Sequence, residues 1–429
     1  MATKVLILVE GGIRGLGQLY VQAAKCLGLH PIVLSVDPAQ YDYLATENIE
    51  AVSVDTGSLD ALVRECSRIG ATHDIAGITS PREAFYAIAA KLCQHFGLPG
   101  PNPASIEKCC DKFTQRRLLA GAGIPIPDYR LATNAAEVES AAAEIGLPVI
   151  LKPAAGHGST GVRLCRTFEE VAEHTTYLLG GTHVSRSSPR ILVEEFAQGP
   201  YYNVDTMGNE VIAIGAGDFG PPPHFVYREY TVPAALTDDE HKRIEDVSLS
   251  CLRALDLGWG PANIELRWTE RGPIVIEVNP RLGGTPDPQL VQLAHGVDLV
   301  AQHIKLVIGG KWDLRRRNSQ TASVRFLLPE YDGTLDWIDG DTQASDVPGV
   351  VDVKWYVEPK MPIVRKGDYQ EILGHVIAAS PSLVQTEAAL ERAVDLIRWS
   401  ITPSPTLGER QQSVATHLPP LGRVIPGKK

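Results

Sequence analysis

Asn263-Ile264-Glu265-Leu266-Arg267-Trp268, a turn at Glu270-Arg271-Gly272-Pro273, and Ile274-Val275-Ile276-Glu277-Val278-Asn279-Pro280-Arg281 read as two strands joined by a turn. Side chains alternate along a strand, so Glu277 and Asn279 share a face and Glu265 can converge on them from the first strand. Carboxylates on adjacent strands are commonly solvated cross-strand neighbours. Here Leu266, Val275, Ile276 and Val278 cover the strands, and a carboxylate pair out of water needs a cation to offset its repulsion. Hard oxygen ligands suit magnesium, which keeps several waters and completes its shell with phosphate oxygens. The stretch therefore points to a metal site used in nucleotide chemistry, with Glu265, Glu277 and Asn279 as ligands.

The composition frames this reading. A chain of 429 residues with 44% hydrophobic and 21% charged residues has room for about two or three domains with separate cores. A formal net charge of −11 argues against a nucleic-acid-binding surface, which needs clustered basic residues. Seven cysteines, Cys26, Cys66, Cys93, Cys109, Cys110, Cys165 and Cys251, lack paired spacing and read as reduced core thiols. The apolar run Lys4–Val9 is too short for a signal segment or a membrane span. These features predict a cytoplasmic protein with no membrane and no nucleic-acid partner.

Short apolar runs at Val5–Val9, Pro31–Val36 and Asp74–Thr79, separated by helical stretches, predict an open parallel sheet over residues 1–100. The dense Gly and Pro of Gly97–Pro103 mark a boundary. A small lobe over 104–198 follows, with helices at Ser105–Leu119, Ala135–Glu144 and Phe168–Leu179 and strands at Pro148–Lys152, Gly161–Arg166 and Ile191–Phe196. Residues 199–310 form the lobe that bears the metal site: strands at Asn203–Met207 and Glu210–Ala216, a proline loop at Gly220–His224, and helices at Asp238–Leu255 and Pro288–Val307. Residues 311–402 read as an accessory α+β domain and 403–429 as an extended or disordered tail.

Lys152 ends an apolar strand and precedes Pro153-Ala154-Ala155-Gly156-His157-Gly158-Ser159-Thr160-Gly161. Glycines there let backbone N–H groups approach anionic oxygens, Ser159 and Thr160 add hydroxyls, and Lys152 adds a point charge, which together suit a phosphate flap. A bare glycine-rich hairpin is the other reading. Lys112 supplies a second cation if its helix packs near the flap, although exposed helical lysines are common. Glu194-Glu195-Phe196-Ala197 ends another apolar strand and reads either as a hinge beside a flat ring or as an edge strand. The turn Gly11-Gly12-Ile13-Arg14-Gly15-Leu16-Gly17 lacks the GxGxxG spacing of a dinucleotide site.

Taken in order, Lys112, the Lys152 flap, Glu194–Ala197 and the Glu265…Glu277-Val278-Asn279-Pro280-Arg281 strands resemble the ATP-grasp superfamily of carboxylate–amine ligases. The resemblance covers residues 1–310, and within the superfamily it is most similar to L-amino-acid ligases that form dipeptides or related amides, including enzymes of peptide-antibiotic assembly. It implies an ATP-grasp fold of α/β and α+β domains, with an N-terminal open parallel sheet and a C-terminal accessory domain. It also implies that Lys112 and Lys152 hold ATP phosphates, Gly158, Ser159, Thr160 and Gly161 close over them, and Glu194, Glu195, Phe196 and Ala197 receive adenine. Glu265, Glu277 and Asn279 would bind magnesium, with manganese able to replace it, and Arg281 with Lys152 would act on the transferred phosphoryl group. The implied partners are a small-molecule carboxylate and an amino acid, and a homodimer stays open.

Two positions depart from the family pattern. Gly199-Pro200-Tyr201-Tyr202 stands where relatives carry Gly-x-Glu for the ribose, and Asn263 stands where many carry histidine. The expected reaction is amide formation through an acyl phosphate; a carboxylase, a purine-pathway ligase and a disabled nucleotide-binding regulator are the alternatives. Arg228 and Glu229, with Arg281, are the substrate-facing candidates, and His224, Thr285 and Asp287 lie on loops near the same centre.

Overall fold

Strands β1 (Lys4–Val9), β2 (His30–Ser35), β3 (Glu50–Ser53) and β4 (Asp74–Thr79) pair in parallel in the order β3-β2-β1-β4. The alternation of β1 serves two cores. Val5, Ile7 and Val9 pack with Ile32, Leu62 and Leu92, while Leu6 and Leu8 join a core that reaches Met207, Ile304 and Val324 of the following lobes. Burying each such side chain contributes about 1.5–3 kcal/mol, so the first domain is fixed to the rest through one whole face of its sheet. Edge strand β3 was not foreseen, because its four residues carry no buried side chain.

The computed structural model describes residues 2–12, 15–156, 158–180 and 190–404. Of the tail expected over 403–429, residues 405–429 lie outside the described residues, as do Ile13, Arg14 and His157 of the two glycine turns. Among the described residues, no helix is long and apolar enough to cross a membrane.

The stretch expected as one helix over Ser105–Leu119 is two, Pro103–Cys110 and Lys112–Gly121. Asp111 between them is extended, and its carboxylate accepts the Thr114 amide at 2.8 Å, a side-chain cap that starts a new helix. The break makes Lys112 the first residue of the second helix, with its amide on the Ala154 carbonyl at 3.0 Å. The helix expected over Pro288–Val307 divides in the same way into Asp287–His295 and Leu299–Val307. There Gly296 takes a left-handed φ of 70° and Asp298 caps Ala301 at 2.9 Å.

In the small lobe, β5 (Tyr129–Ala132), β6 (Val149–Pro153), β7 (Arg163–Cys165) and β8 (Ile191–Glu195) form an antiparallel sheet ordered β5-β8-β6-β7. Helices Ala135–Ile145 and Phe168–Gly180 supply its core with Val138, Ala142, Val171 and Leu178. Next come β9 (Tyr201–Met207), β10 (Glu210–Phe219), β11 (Tyr227–Val232), β12 (Pro261–Thr269) and β13 (Gly272–Asn279). The last strands are β14 (Thr321–Leu327), β15 (Gly333–Asp339), β16 (Val350–Trp355), β17 (Pro362–Ile363), β18 (Gly374–Ser380) and β19 (Arg398–Pro403).

Eight of these form one sheet ordered β13-β12-β9-β10-β11-β14-β18-β16. The accessory segment expected over 311–402 supplies three of these strands. Its β14 pairs with β11 and carries the large sheet onward into β18 and β16, while β15, β17 and β19 make a separate small sheet.

Candidate active site

Strands β12 and β13 set Glu265 directly opposite Glu277 and Asn263 opposite Asn279. The register shifts between Glu265 and Leu266, a bulge of the kind that re-aims side chains at a site. Asn279 Nδ2 donates to Glu265 Oε1 at 3.2 Å, and Lys112 Nζ donates to Glu277 Oε1. The two acids are consequently unequal. Burial, then the charge of Glu277, raises the Glu265 carboxyl; burial also acts to raise Glu277, but Lys112 and Lys152 outweigh it and hold Glu277 low. Lys112 is itself held above the usual lysine value, because Glu277 and Glu83 outweigh its burial.

Among the described residues, no three His, Cys, Asp or Glu side chains cluster in a metal-holding arrangement. The donor set is two carboxylates and one amide oxygen. It leaves Glu265 short of positive charge and suits a hard cation that takes further oxygens from water and phosphate.

Behind this pair lies a second set of charges. Lys152, 3% exposed, meets Glu194 Oε2 at 2.6 Å, and Arg116 Nε meets Glu194 Oε1 at 2.6 Å. Arg116 also donates to the Ile276 carbonyl of β13. Burial would raise Glu194, but its two cations hold it low; burial lowers Lys152, and Glu194 only partly offsets this. Glu194 thus points its carboxylate at the cations, whereas its neighbour Glu195 turns outward to Arg271 at 2.7 Å.

Lys112 Nζ also donates to the Gly156 carbonyl at 3.0 Å, and the flap, both lysines and the facing carboxylates line one cleft. The flap is tied from far along the chain. Tyr369 donates its amide to the Gly158 carbonyl at 3.3 Å, and Thr160 Oγ1 donates to Asp368 at 3.2 Å. Gly158 has φ 64°, and a Cβ there would stand 2.4 Å from the Tyr369 ring, so glycine permits both the turn and the contact. A second cleft lies beside the first and shares Gly158, Tyr227, Glu265, Arg281 and Tyr369 with it.

Residues 111–315 match the model of the carbamoyl-phosphate synthase L chain ATP-binding domain, and residues 325–402 match that of L-amino acid ligase C-terminal domain 2. The chain is 57% identical to an uncharacterized protein of Sinorhizobium fredii over 97% of this chain and 87% of that one. It is 28% identical to carnosine synthase 1 of Homo sapiens over 71% of this chain, but spans only 39% of that protein's length. The solved L-amino acid ligase from Bacillus licheniformis superposes with a TM-score of 0.79 at 20% identity, covering 94% of this chain and all of that one. The chain belongs to the ATP-grasp superfamily of carboxylate–amine ligases.

The segment expected as a hinge, Glu194 to Ala197, runs into Gly199, whose φ is 150°. A Cβ on Gly199 would lie 1.9 Å from the Trp268 carbonyl. Arg267 Nη1 donates to the Gly199 carbonyl at 2.7 Å, and the Trp268 amide donates to the Pro200 carbonyl at 2.8 Å. Gly199→Ala is therefore expected to destabilise the protein by about 1–3 kcal/mol through forced backbone movement, read as a lower denaturant midpoint; an unchanged midpoint would show that this approach relaxes freely.

At the two departures from the family pattern, Tyr201 accepts a hydrogen bond from the Tyr227 hydroxyl at 2.6 Å, and Asn263 Nδ2 donates to Asp205 at 2.9 Å. Beside Tyr201, the Arg267 guanidinium lies 5.6–5.9 Å from the ring centres of Phe196, Phe219, Phe225 and Tyr201. These rings and Arg267 line the first cleft together with the lysines.

Arg281 lies on the walls of both clefts and donates from Nε to Glu83 of the N-terminal domain at 3.0 Å. Arg228 and Glu229 are not on either wall. Glu229 stands opposite Arg325 on β14 and accepts from its Nε at 3.0 Å, and Arg228 is exposed. Sequence reasoning missed Arg116, Arg267, Glu83 and Tyr369. Arg116 had a readable signal, since it follows Lys112 by four residues and so shares its helical face; the others reach the site through long-range packing.

Proposed function

We propose that the protein joins a small carboxylic acid to an amino acid as an amide, through an acyl phosphate made at the expense of ATP. One observation carries this reading: Lys112, Lys152, Glu265, Glu277 and Asn279 line a single cleft that opens into a second one across Arg281. As an ATP-grasp ligase of the ADP-forming, C–N-bond-forming kind, the chain supplies each required part. Lys112 and Lys152 hold the phosphates, and Gly158 to Gly161 cover them. Glu265, Glu277 and Asn279 would hold magnesium, or manganese in its place, which would supply positive charge to the phosphate oxygens. The acid's carboxylate attacks the terminal phosphorus, and Arg281 offsets the charge that develops there. The tied flap keeps water from the acyl phosphate until the amine displaces phosphate. Adenine is assigned to the Glu194–Ala197 backbone and the aromatic lining of the cleft. The unpaired state of all seven cysteines supports a reducing compartment, the cytoplasm.

Incubation with ATP, magnesium and a matrix of amino acids and other small acids, read as ADP and new amide masses, tests the assignment. ADP that depends on both an acid and an amine is expected. Turnover dependent on bicarbonate would move the assignment to a carboxylase, and no turnover with any acid would leave a nucleotide-binding regulator. Protein stripped with a chelator is expected to release no ADP until magnesium or manganese is restored; full activity without either metal would remove the carboxylate pair from the mechanism.

A further inference from the structure

The second cleft contains an acid that forms no direct ion pair among the described residues, although the charge of Arg281 on the same wall reaches it. Of the acids on its walls, Glu83 is engaged by Arg281 at 3.0 Å and Glu265 belongs to the proposed metal set. Asp287 is different. Its one partner side chain among the described residues is Asn203, whose Nδ2 donates to Oδ2 at 3.2 Å. Asn203 is 2% exposed, and its Oδ1 is buried without a hydrogen-bond partner among the described residues. Two residues along β9, Asp205 is 1% exposed and is held by Asn263 at 2.9 Å.

The region holds two buried carboxylates and an unused carbonyl oxygen against one unpaired donor among the described residues, the Tyr230 hydroxyl, and is short of positive charge. An ammonium group supplies that charge, with three N–H donors on one compact cation. Tyr227, Phe326 and Tyr356 form apolar walls nearby, which suits an amine borne on a carbon skeleton and not a hydrated metal ion.

We propose that Asp287, seated by Asn203, receives the ammonium end of the amine substrate in the second cleft and removes the proton that must leave before the amine can attack. The inference rests on the ligase reading and assigns its amine site. One ammonium proton passes to the Asp287 carboxylate, and the freed lone pair forms the C–N bond at the acyl carbon. The C–O bond to phosphate then breaks, with the electron pair leaving on phosphate. The second nitrogen proton goes to the departing phosphate, and Asp287 returns its proton to solvent. Burial and then the charge of Asp205 raise the Asp287 carboxyl well above the usual aspartate range, which makes its ionised form a stronger proton acceptor than a solvated aspartate.

Hydroxylamine provides the test, because it is largely neutral at pH 7 and traps acyl phosphates without an ammonium site. With ATP, magnesium and the twenty proteinogenic amino acids as acid and amine supply, Asp287→Asn is expected to lower dipeptide formation by about 10²-fold or more. Hydroxamate formation in parallel reactions with hydroxylamine should stay near the parent's rate. Equal loss of both products, or loss of neither, would overturn the assignment. Should Asp287→Asn fail to fold, Asn203→Ser removes the amide that seats the carboxylate, and it must show the same selective loss of dipeptide for the proposal to stand. Absence of hydroxamate with the parent protein would instead overturn the ligase reading itself.

Discussion

Glu277→Ala is expected to lower ADP release by about 10²–10³-fold, the loss that follows removal of one group preorganised around a developing charge. Two effects combine. The substitution removes half of the facing carboxylate pair, and it frees Lys112, which Glu277 now holds beside the Gly156 carbonyl. Stability should change less than activity. Deleting one member of a buried ion pair leaves its partner uncompensated, which alone costs about 3–5 kcal/mol, but it also relieves the repulsion that raises Glu265. Glu277→Gln separates charge from shape: it keeps an oxygen for the cation and a partner for Lys112, so it should retain a higher thermal midpoint than Glu277→Ala while losing most of the turnover. Near-normal amide formation in Glu277→Ala would remove this residue from the metal set.

What could be read from the sequence was local. The alternation around Glu265 and Glu277 identified the strands because both acids sit among apolar residues whose burial decides which face they use. The helix Asp238–Leu255 appears at the expected residues because Thr237 and Glu240 form a reciprocal cap, 2.8 Å from Glu240 Oε2 to the Thr237 amide and 3.3 Å from the Glu240 amide to Thr237 Oγ1. Lys112 and Lys152 were legible as cations on a helix and beside a glycine turn, but their meeting across the β12–β13 acids required the helix break at Asp111, which a run of helix formers conceals.

Long-range pairing was not legible. Strand β11, Tyr-Arg-Glu-Tyr-Thr-Val, carries no clear apolar alternation, yet it joins β10 to β14 and so links the sheet of Glu265 and Glu277 to the accessory strands. Without it, residues 311–402 read as a separate unit and Tyr369 has no route to the flap. The setting of Glu229 was hidden for the same reason: the cross-strand neighbour that takes its charge, Arg325, lies 96 residues away in sequence. Glu83 meets Arg281 only because Leu6 and Leu8 bring the first domain against the large sheet.

Glu194→Ala is expected to destabilise the protein by about 3–5 kcal/mol, because it strands two buried cations and not one. Arg116 and Glu194 have side chains 1% and 3% exposed, and Lys152 has 4%, so solvent screens little of the loss. The burial that lowers Lys152 and the pairing that restores part of its charge act in opposition; without Glu194 only the first remains, and Lys152 loses its proton more readily. The pH dependence follows from the depressed Glu194 carboxyl. A group whose folded pKa lies below its unfolded value contributes stability above the unfolded value and loses it as pH falls through the folded one. The difference in denaturant midpoint between the parent and Glu194→Ala should therefore be largest at neutral pH and shrink in acid. Glu194→Gln should fall between the two, since it keeps a hydrogen-bond acceptor for Arg116 but not the charge. An unchanged midpoint in Glu194→Ala at neutral pH would mean that neither cation depends on this carboxylate. The hinge strand would then be free to serve adenine without also supporting the lysine on the neighbouring strand.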